Sequence, residues 1–206
     1  WWVNIHGHSH PKLNAALARQ ASELEHVVLA GCTHRPAIEL AERLVALLPH
    51  GLNRVFYSDD GSTAVEVALK MAWQYWQNRG DTARRTFIAL DRAYHGDTVG
   101  AMSVSESSSF TEPFDALLFP VVRAHEPYCY RCPVGRERAS CQIECLEHLE
   151  SQLKAHSNTV AGVLVEPMLQ GVAGMIVWPT EFLAGVRDLC DRHGTLMIAD
   201  EVFTGF

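Results

Sequence analysis

Asp200 and Glu201 close an apolar run, Thr195-Leu196-Met197-Ile198-Ala199, that follows a helix stopped by His193-Gly194. A run of that length behind a Gly reads as a strand buried on both faces. In α/β folds, ligand chemistry collects at the carboxyl ends of such strands. A carboxylate there, among apolar neighbours, needs a cationic partner, because burying it unpaired is costly. Three more strand ends carry groups able to do chemistry. Gly61-Ser62 opens a helix behind Arg54-Val55-Phe56-Tyr57-Ser58, which reads as a short strand. Backbone amides at such a helix start either bind an anion or are simply capped, and Asp59 and Asp60 argue against a phosphate unless they point away. Tyr94-His95 follows the strand Thr86–Leu90, where Tyr94 either stacks on a flat ligand or packs on the sheet rim. Glu166, with Gln170 after it, ends the strand Val160–Val165.

Two other clusters could ligate a metal. Cys129-x2-Cys132 and Cys141-x3-Cys145 lie on a loop that carries Pro and Gly. Paired thiols of this kind either hold zinc or are ordinary cysteines. His6, His8 and His10 alternate, but Gly7 and Pro11 make their segment a turn, and no carboxylate or Cys completes the set. Cys32 and Cys190 stand alone and read as small buried side chains.

The elements that must position these groups alternate. Helices are expected from Pro11, from about Pro36 to Leu48, after Gly61, from about Ile143 to His156, and before Thr195. Ser103–Phe110 is Ser-rich and reads as loop, and Gln170–Met175 as a turn of small residues. Helices alternating with Val-, Ile- and Leu-rich strands give an α/β fold with a mostly parallel sheet and helices on both faces.

Composition narrows the function. The chain has 206 residues, 48% hydrophobic and 20% charged, as in a globular protein. Lys and Arg total 17 against 24 Asp and Glu, a net charge of −7 with no basic stripe, so nucleic acid is not an expected partner. No apolar stretch is long enough to cross a bilayer. The cysteine pattern is not a spread disulfide framework, and a reducing cytoplasm is expected. The chain starts at Trp1 and stops at Phe206 just after a strand; both ends read as cut, so a piece of a longer protein is expected.

Taken together, the strand ends suit one ligand with a flat ring, a phosphate and a ring cation. The chain resembles the large domain of fold-type I pyridoxal-phosphate enzymes, and among them the class III aminotransferases. The resemblance rests on Leu196-Met197-Ile198-Ala199-Asp200-Glu201-Val202-Phe203-Thr204-Gly205-Phe206 and on Val165-Glu166-Pro167 with Gln170-Gly171. Trp1-Trp2-Val3-Asn4-Ile5-His6-Gly7-His8, Tyr57-Ser58-Asp59 before Gly61-Ser62-Thr63, and Tyr94-His95-Gly96-Asp97-Thr98 look most like the biotin-pathway members. That resemblance implies pyridoxal 5'-phosphate as cofactor, with S-adenosylmethionine and 8-amino-7-oxononanoate as substrates. It implies that Asp200 is catalytic and pairs with the ring nitrogen, and that Gly61 and Ser62 hold the phosphate. Tyr94 would lie against the ring or line the substrate site, walled by Trp1 and Trp2, and Glu166 and Gln170 would stand nearby. It further implies a homodimer and no metal at the reacting centre. Residues 1–206 would then be part of the large domain, with about 1–35 contributing to the substrate site. The Schiff-base lysine and the small C-terminal domain would lie beyond Phe206, since Lys12, Lys70 and Lys154 match no such motif. Asp60 and Ala173 depart from the family's usual residues. The rivals are a class III enzyme for another ω-amino acid or diamine, and a non-catalytic metal-binding module built on the four clustered cysteines and the histidines His6, His8 and His10.

Overall fold

The computed structural model describes residues 2–206, which divide into two compact units, Trp1–Tyr57 and Ser58–Phe206. The first unit carries α1 (Pro11–Glu23) and α2 (Arg35–Leu47), both with Pro in the first turn, where its missing N–H costs nothing. The His34 side chain caps α2 by accepting from the Ala37 amide at 3.3 Å. Both helices are amphipathic, yet no described residue of this unit is buried, and Leu17 and Leu47 are each 72% exposed. Gly7 and Ser9 both adopt positive φ, so the histidines ahead of α1 lie on turns. Arg54–Ser58, expected as a strand, pairs with no neighbour among the described residues; a strand without a ladder leaves its amides to water. Cys32, expected inside, is exposed. It lies between the two helices, in a unit that has no core to receive it.

The second unit is an α/β sandwich. Its elements in order are α3 (Gly61–Asn78), β1 (Thr86–Leu90), α4 (Val99–Val104), β2 (Val122–Ala124), α5 (Cys145–Ala155), β3 (Val160–Val165), β4 (Leu169–Gln170), β5 (Ile176–Val177), α6 (Thr180–Arg192) and β6 (Leu196–Ala199). The main sheet is wholly parallel, in the order β2-β1-β3-β6. Alternate side chains of β1 serve opposite faces, as the pleat requires. Ile88 and Leu90 pack with Leu149, Leu153, Phe182 and Val186 of α5 and α6. Phe87 and Ala89 pack with Val65, Leu69 and Trp76 of α3 and with Ala101 and Val104 of α4. Trp76 also donates its indole N–H to the Ala161 carbonyl at 2.7 Å, tying α3 to β3 across the layer.

Two sequence expectations change here, and the expected small-residue turn is kept. The strand before Asp200 is not buried on both faces: β6 ends the sheet, and its residues are half-buried or exposed. Ser103 is not loop but helix, because α4 forms directly after Thr98. The small-residue turn after Glu166 is the loop of a hairpin in which β4 and β5 pair antiparallel.

Two outcomes follow from this packing. Phe182 is fully buried, so Phe182→Ala should cost about 3–5 kcal/mol in urea unfolding of the complete protein. A peptide of residues 1–57, whose described residues include none that is buried, should show no cooperative thermal transition by circular dichroism.

Candidate active site

Parallel strands deliver their carboxyl ends to one edge of the sheet, and the chemistry-bearing residues of the second unit gather there. β6 runs beside β3 with Val165 opposite Ala199, and the Asp200 amide extends the ladder by donating to the Val165 carbonyl at 2.8 Å. That bond sets Asp200 next to the strand end that carries Glu166. The Asp200 side chain is only 7% exposed. One of its oxygens accepts from the Val202 amide at 3.1 Å, and the other lies 2.7 Å from His95 Nδ1. The His95 ring is wholly buried. A carboxylate can only accept, so Nδ1 carries the proton of this bond. His95 Nε2 has no partner among the described residues.

Tyr94 and His95 lie on the loop after β1. The His95 amide donates to Ser105 Oγ at 2.8 Å, and the Tyr94 amide donates to Glu166 Oε1 at 3.0 Å. Glu166 Oε2 accepts from the Gly171 amide at 3.0 Å, so this one carboxylate joins the loop after β1 to the β4–β5 hairpin. Burial pushes the Glu166 carboxyl above the usual carboxylate range, while those two amides and His95 pull against the shift. Gln170, fully buried, donates to the Asp91 carbonyl at 2.9 Å, and its own Oε1 has no partner among the described residues. The Tyr94 hydroxyl is raised by burial and by the neighbouring Asp97, so it stays a neutral donor at ordinary pH.

Asp60, expected to repel a phosphate, is the N-cap of α3. Its carboxylate accepts from the Thr63 amide at 2.8 Å, and Thr63 Oγ1 accepts from the Asp60 amide at 3.0 Å. The Asp60 carbonyl takes the Ala64 amide at 2.9 Å. Of the four amides that a helix start leaves over, those of Gly61 and Ser62 remain for an external acceptor. Space around them is tight. A Cβ on Gly61 would stand 2.9 Å from Val202 Cγ2, and one on Gly96 would stand 2.0 Å from Ser62 Oγ. Gly96 also has φ +125°, which a side chain would strain. Ser62 Oγ in turn accepts from the Asp97 amide at 3.2 Å.

The geometry thus brings Gly61, Ser62, Tyr94 and Asp200 into one unit, with amides at one end and a braced carboxylate at the other. Trp2 is half-buried at φ 69° in the first unit, and Trp1 lies outside the described residues. His95 was visible in sequence only as an imidazole past a strand. Its bond to Asp200 joins residues 105 positions apart, which no local pattern encodes. Lys70 and Lys154 are exposed on α3 and α5, and Lys154 pairs with Glu150 at 3.1 Å; Lys12 is exposed on α1. The cysteines are free thiols, and no group of three His, Cys, Asp or Glu among the described residues could hold a metal. Cys145 is pushed up to about 12, mainly by burial and then by the nearby Cys141, Cys132 and Cys129. No helix of the described residues is long and apolar enough to cross a membrane.

Comparison with known proteins gives this arrangement a family. The adenosylmethionine-8-amino-7-oxononanoate aminotransferase of Geobacter sulfurreducens is 52% identical over all of this chain, which covers 46% of that protein. The solved structure of the enzyme of that name from Methanocaldococcus jannaschii matches with a TM-score of 0.88 and 41% identity, over 98% of this chain and 43% of that one. An amine transaminase from an uncultivated Pseudomonas species, solved in a PLP-bound form, matches with a TM-score of 0.88 and 37% identity, over 99% of this chain and 46% of that one. The chain therefore spans about half the length of the curated relatives it matches. The family model for aminotransferase class III matches residues 1–206. The chain belongs to the class III aminotransferases.

Proposed function

We propose that this chain is the cofactor-holding part of an enzyme of biotin synthesis. It would use pyridoxal 5'-phosphate to transfer the amino group of S-adenosylmethionine to 8-amino-7-oxononanoate, giving 7,8-diaminononanoate. The carrying observation is Asp200, a nearly buried carboxylate at a strand end, braced by His95 at 2.7 Å. The names of the relatives at 40–52% identity support the substrates.

The residues suit the cofactor chemically. A buried carboxylate favours a proton on a facing ring nitrogen, since a buried anion seeks a cation. The unfilled amides of Gly61 and Ser62, at the positive end of the 18-residue α3, suit a phosphate. When bound, pyridoxal phosphate supplies a protonated ring that takes up the electrons released as a Cα–H bond breaks. The chain's own part is to bind and orient. Asp200 would accept from the protonated ring nitrogen, while His95 fixes the direction of Asp200 and Glu166 fixes the loop that carries Tyr94 and His95. Tyr94 would serve as a ring or substrate contact, and the resemblance to the biotin-pathway members is what assigns Trp1 and Trp2 to the wall of the acceptor site. The lysine that binds the cofactor covalently would lie outside these 206 residues, as would the small domain. The enzyme would be a homodimer, a reading supported by the exposed apolar side chains of α1 and α2. The free thiols suit a cytoplasmic protein.

The test uses the complete protein. S-adenosylmethionine alone should bleach the visible band of the bound cofactor, and 8-amino-7-oxononanoate should restore it. Bleaching by a simple ω-amine but not by S-adenosylmethionine would discard the pathway and keep the class. Absence of any visible band would overturn the cofactor. Asp200→Ala should lower kcat more than roughly 100-fold with the fold intact by circular dichroism; near-normal turnover would remove its role.

Glu166 gives a separate outcome with a definite sign. Its folded-state pKa is raised, so the folded protein holds that proton more tightly than the unfolded chain does. Its contribution to stability therefore falls as pH rises from the ordinary carboxylate range through the folded value, and is level above that. Glu166→Gln should remove this slope in urea unfolding followed across that range. At neutral pH it should also cost about 1–3 kcal/mol, because the new amide turns an N–H toward the amide of Tyr94 or Gly171.

A further inference from the structure

Arg123, on the half-buried edge strand β2, makes no ion pair among the described residues. Its guanidinium instead spreads over the C-terminal end of α4. Nη1 donates to the Val104 carbonyl at 2.9 Å, and Nη2 donates to the Ser103 carbonyl at 3.1 Å and also to the Ser105 carbonyl. Those carbonyls are the orphans that a helix end leaves over, and they carry the negative end of its dipole. A planar fork suits several acceptors at once in a way that an ammonium does not.

α4 is only six residues long, too short to persist on its own hydrogen bonds. What holds it is contact at both ends. Glu66 of α3 accepts from the Gly100 amide at 2.6 Å and the Ala101 amide at 3.3 Å. A Cβ on Gly100 would stand 2.2 Å from Glu66 Oε2, so a larger residue there would push the Glu66 carboxylate out of this clasp. Arg123 is the clasp at the other end.

The residue just past that end is Ser105. Its amide and its hydroxyl both donate to the Ala101 carbonyl, at 3.0 and 2.8 Å. The same hydroxyl oxygen accepts from the His95 amide at 2.8 Å, and the His95 ring meets Asp200 at 2.7 Å. The path from Arg123 to Asp200 is continuous, and each member on it is buried or half-buried. The next turn of chain reinforces it: the Glu106 amide donates to the Ala93 carbonyl at 2.8 Å, and the Glu106 carboxylate accepts from the Arg92 amide.

We propose that Arg123 is a positioning residue for Asp200, acting through the last turn of α4, the Ser105 hydroxyl and the His95 ring. This rests on the reading above only in that Asp200 is taken to face the cofactor ring; the path itself exists in the protein alone. Removing the fork leaves the carbonyls of residues 103–105 without their donors. The last turn then frays, the Ser105 hydroxyl loses its place, and the His95 loop loses the acceptor that orients it.

The test follows the proton on His95 Nδ1 in the complete protein without cofactor, as a low-field NMR resonance assigned by its absence in His95→Asn. Arg123→Met and Ser105→Ala should each shift that resonance or broaden it away, and Arg123→Lys should restore it in part. With cofactor added, Arg123→Met should bind pyridoxal 5'-phosphate about tenfold more weakly, the size expected for one lost hydrogen bond. A folded Arg123→Met protein that melts earlier yet keeps the resonance unmoved would make Arg123 structural only and overturn the proposal. If Arg123→Met does not fold, Arg123→Lys decides in its place, since it keeps the charge and loses the planar fork: a resonance there identical to that of the wild type would overturn the proposal. A wild-type protein that shows the resonance, loses it in the variants and still binds no pyridoxal phosphate would keep the path and discard the enzyme reading.

Discussion

A carboxylate held nearly out of water at the end of a strand is the constraint on which the rest of the second unit depends. A carboxylate so placed needs hydrogen-bond donors, and two of those for Asp200 come from the protein: the Val202 amide and the His95 ring. Supplying His95 requires the loop after β1 to turn back toward β6. That loop is stitched down by Glu166 on one side and by Ser105 on the other. Glu166 must itself be buried to reach both Tyr94 and Gly171, which raises its pKa. A polar network of this kind is strong only when every member is satisfied. The unpartnered atoms within it, His95 Nε2 and Gln170 Oε1, are both buried.

Much of this was legible in sequence, for reasons that differ by element. β1 and β3 show as apolar runs bounded by turn residues. α3 and α6 show a clear 3.6-residue stripe with a polar face, because one side of each meets water. α4 does not, since Gly100, Ala101, Met102, Ser103 and Val104 are all buried and no face is left to be polar. The edge position of β6 depends on sheet order, which is a long-range property that a local apolar run cannot carry. Strands of two residues, such as β4 and β5, are too short to show alternation. The placement of Tyr94 and Asp200 just past strands, and of Gly61 and Ser62 at a helix start, is legible because each follows or opens a regular element. Asp60 is legible too, as an acid three residues before a Thr at a helix start, a spacing in which it serves as a cap rather than as a charge facing a phosphate. The partners of His95 and Arg123 are not legible in the sequence. They lie far along the chain, and only the closed fold brings them together.

The uncovered helices of the first unit have a consequence in time. At about 5–20 residues per second, a ribosome needs roughly 7–30 s to add residues 58–206 after Tyr57 has been joined. Throughout that interval α1 and α2 have no core of their own to enter, and Leu13, Leu17, Leu40 and Leu47 stay open to solvent. Exposed apolar faces on a nascent chain are what holdase chaperones bind and what neighbouring chains stick to. Production of this protein should therefore be limited by crowding of unfinished chains, so that slower initiation yields more soluble product than a stronger promoter does.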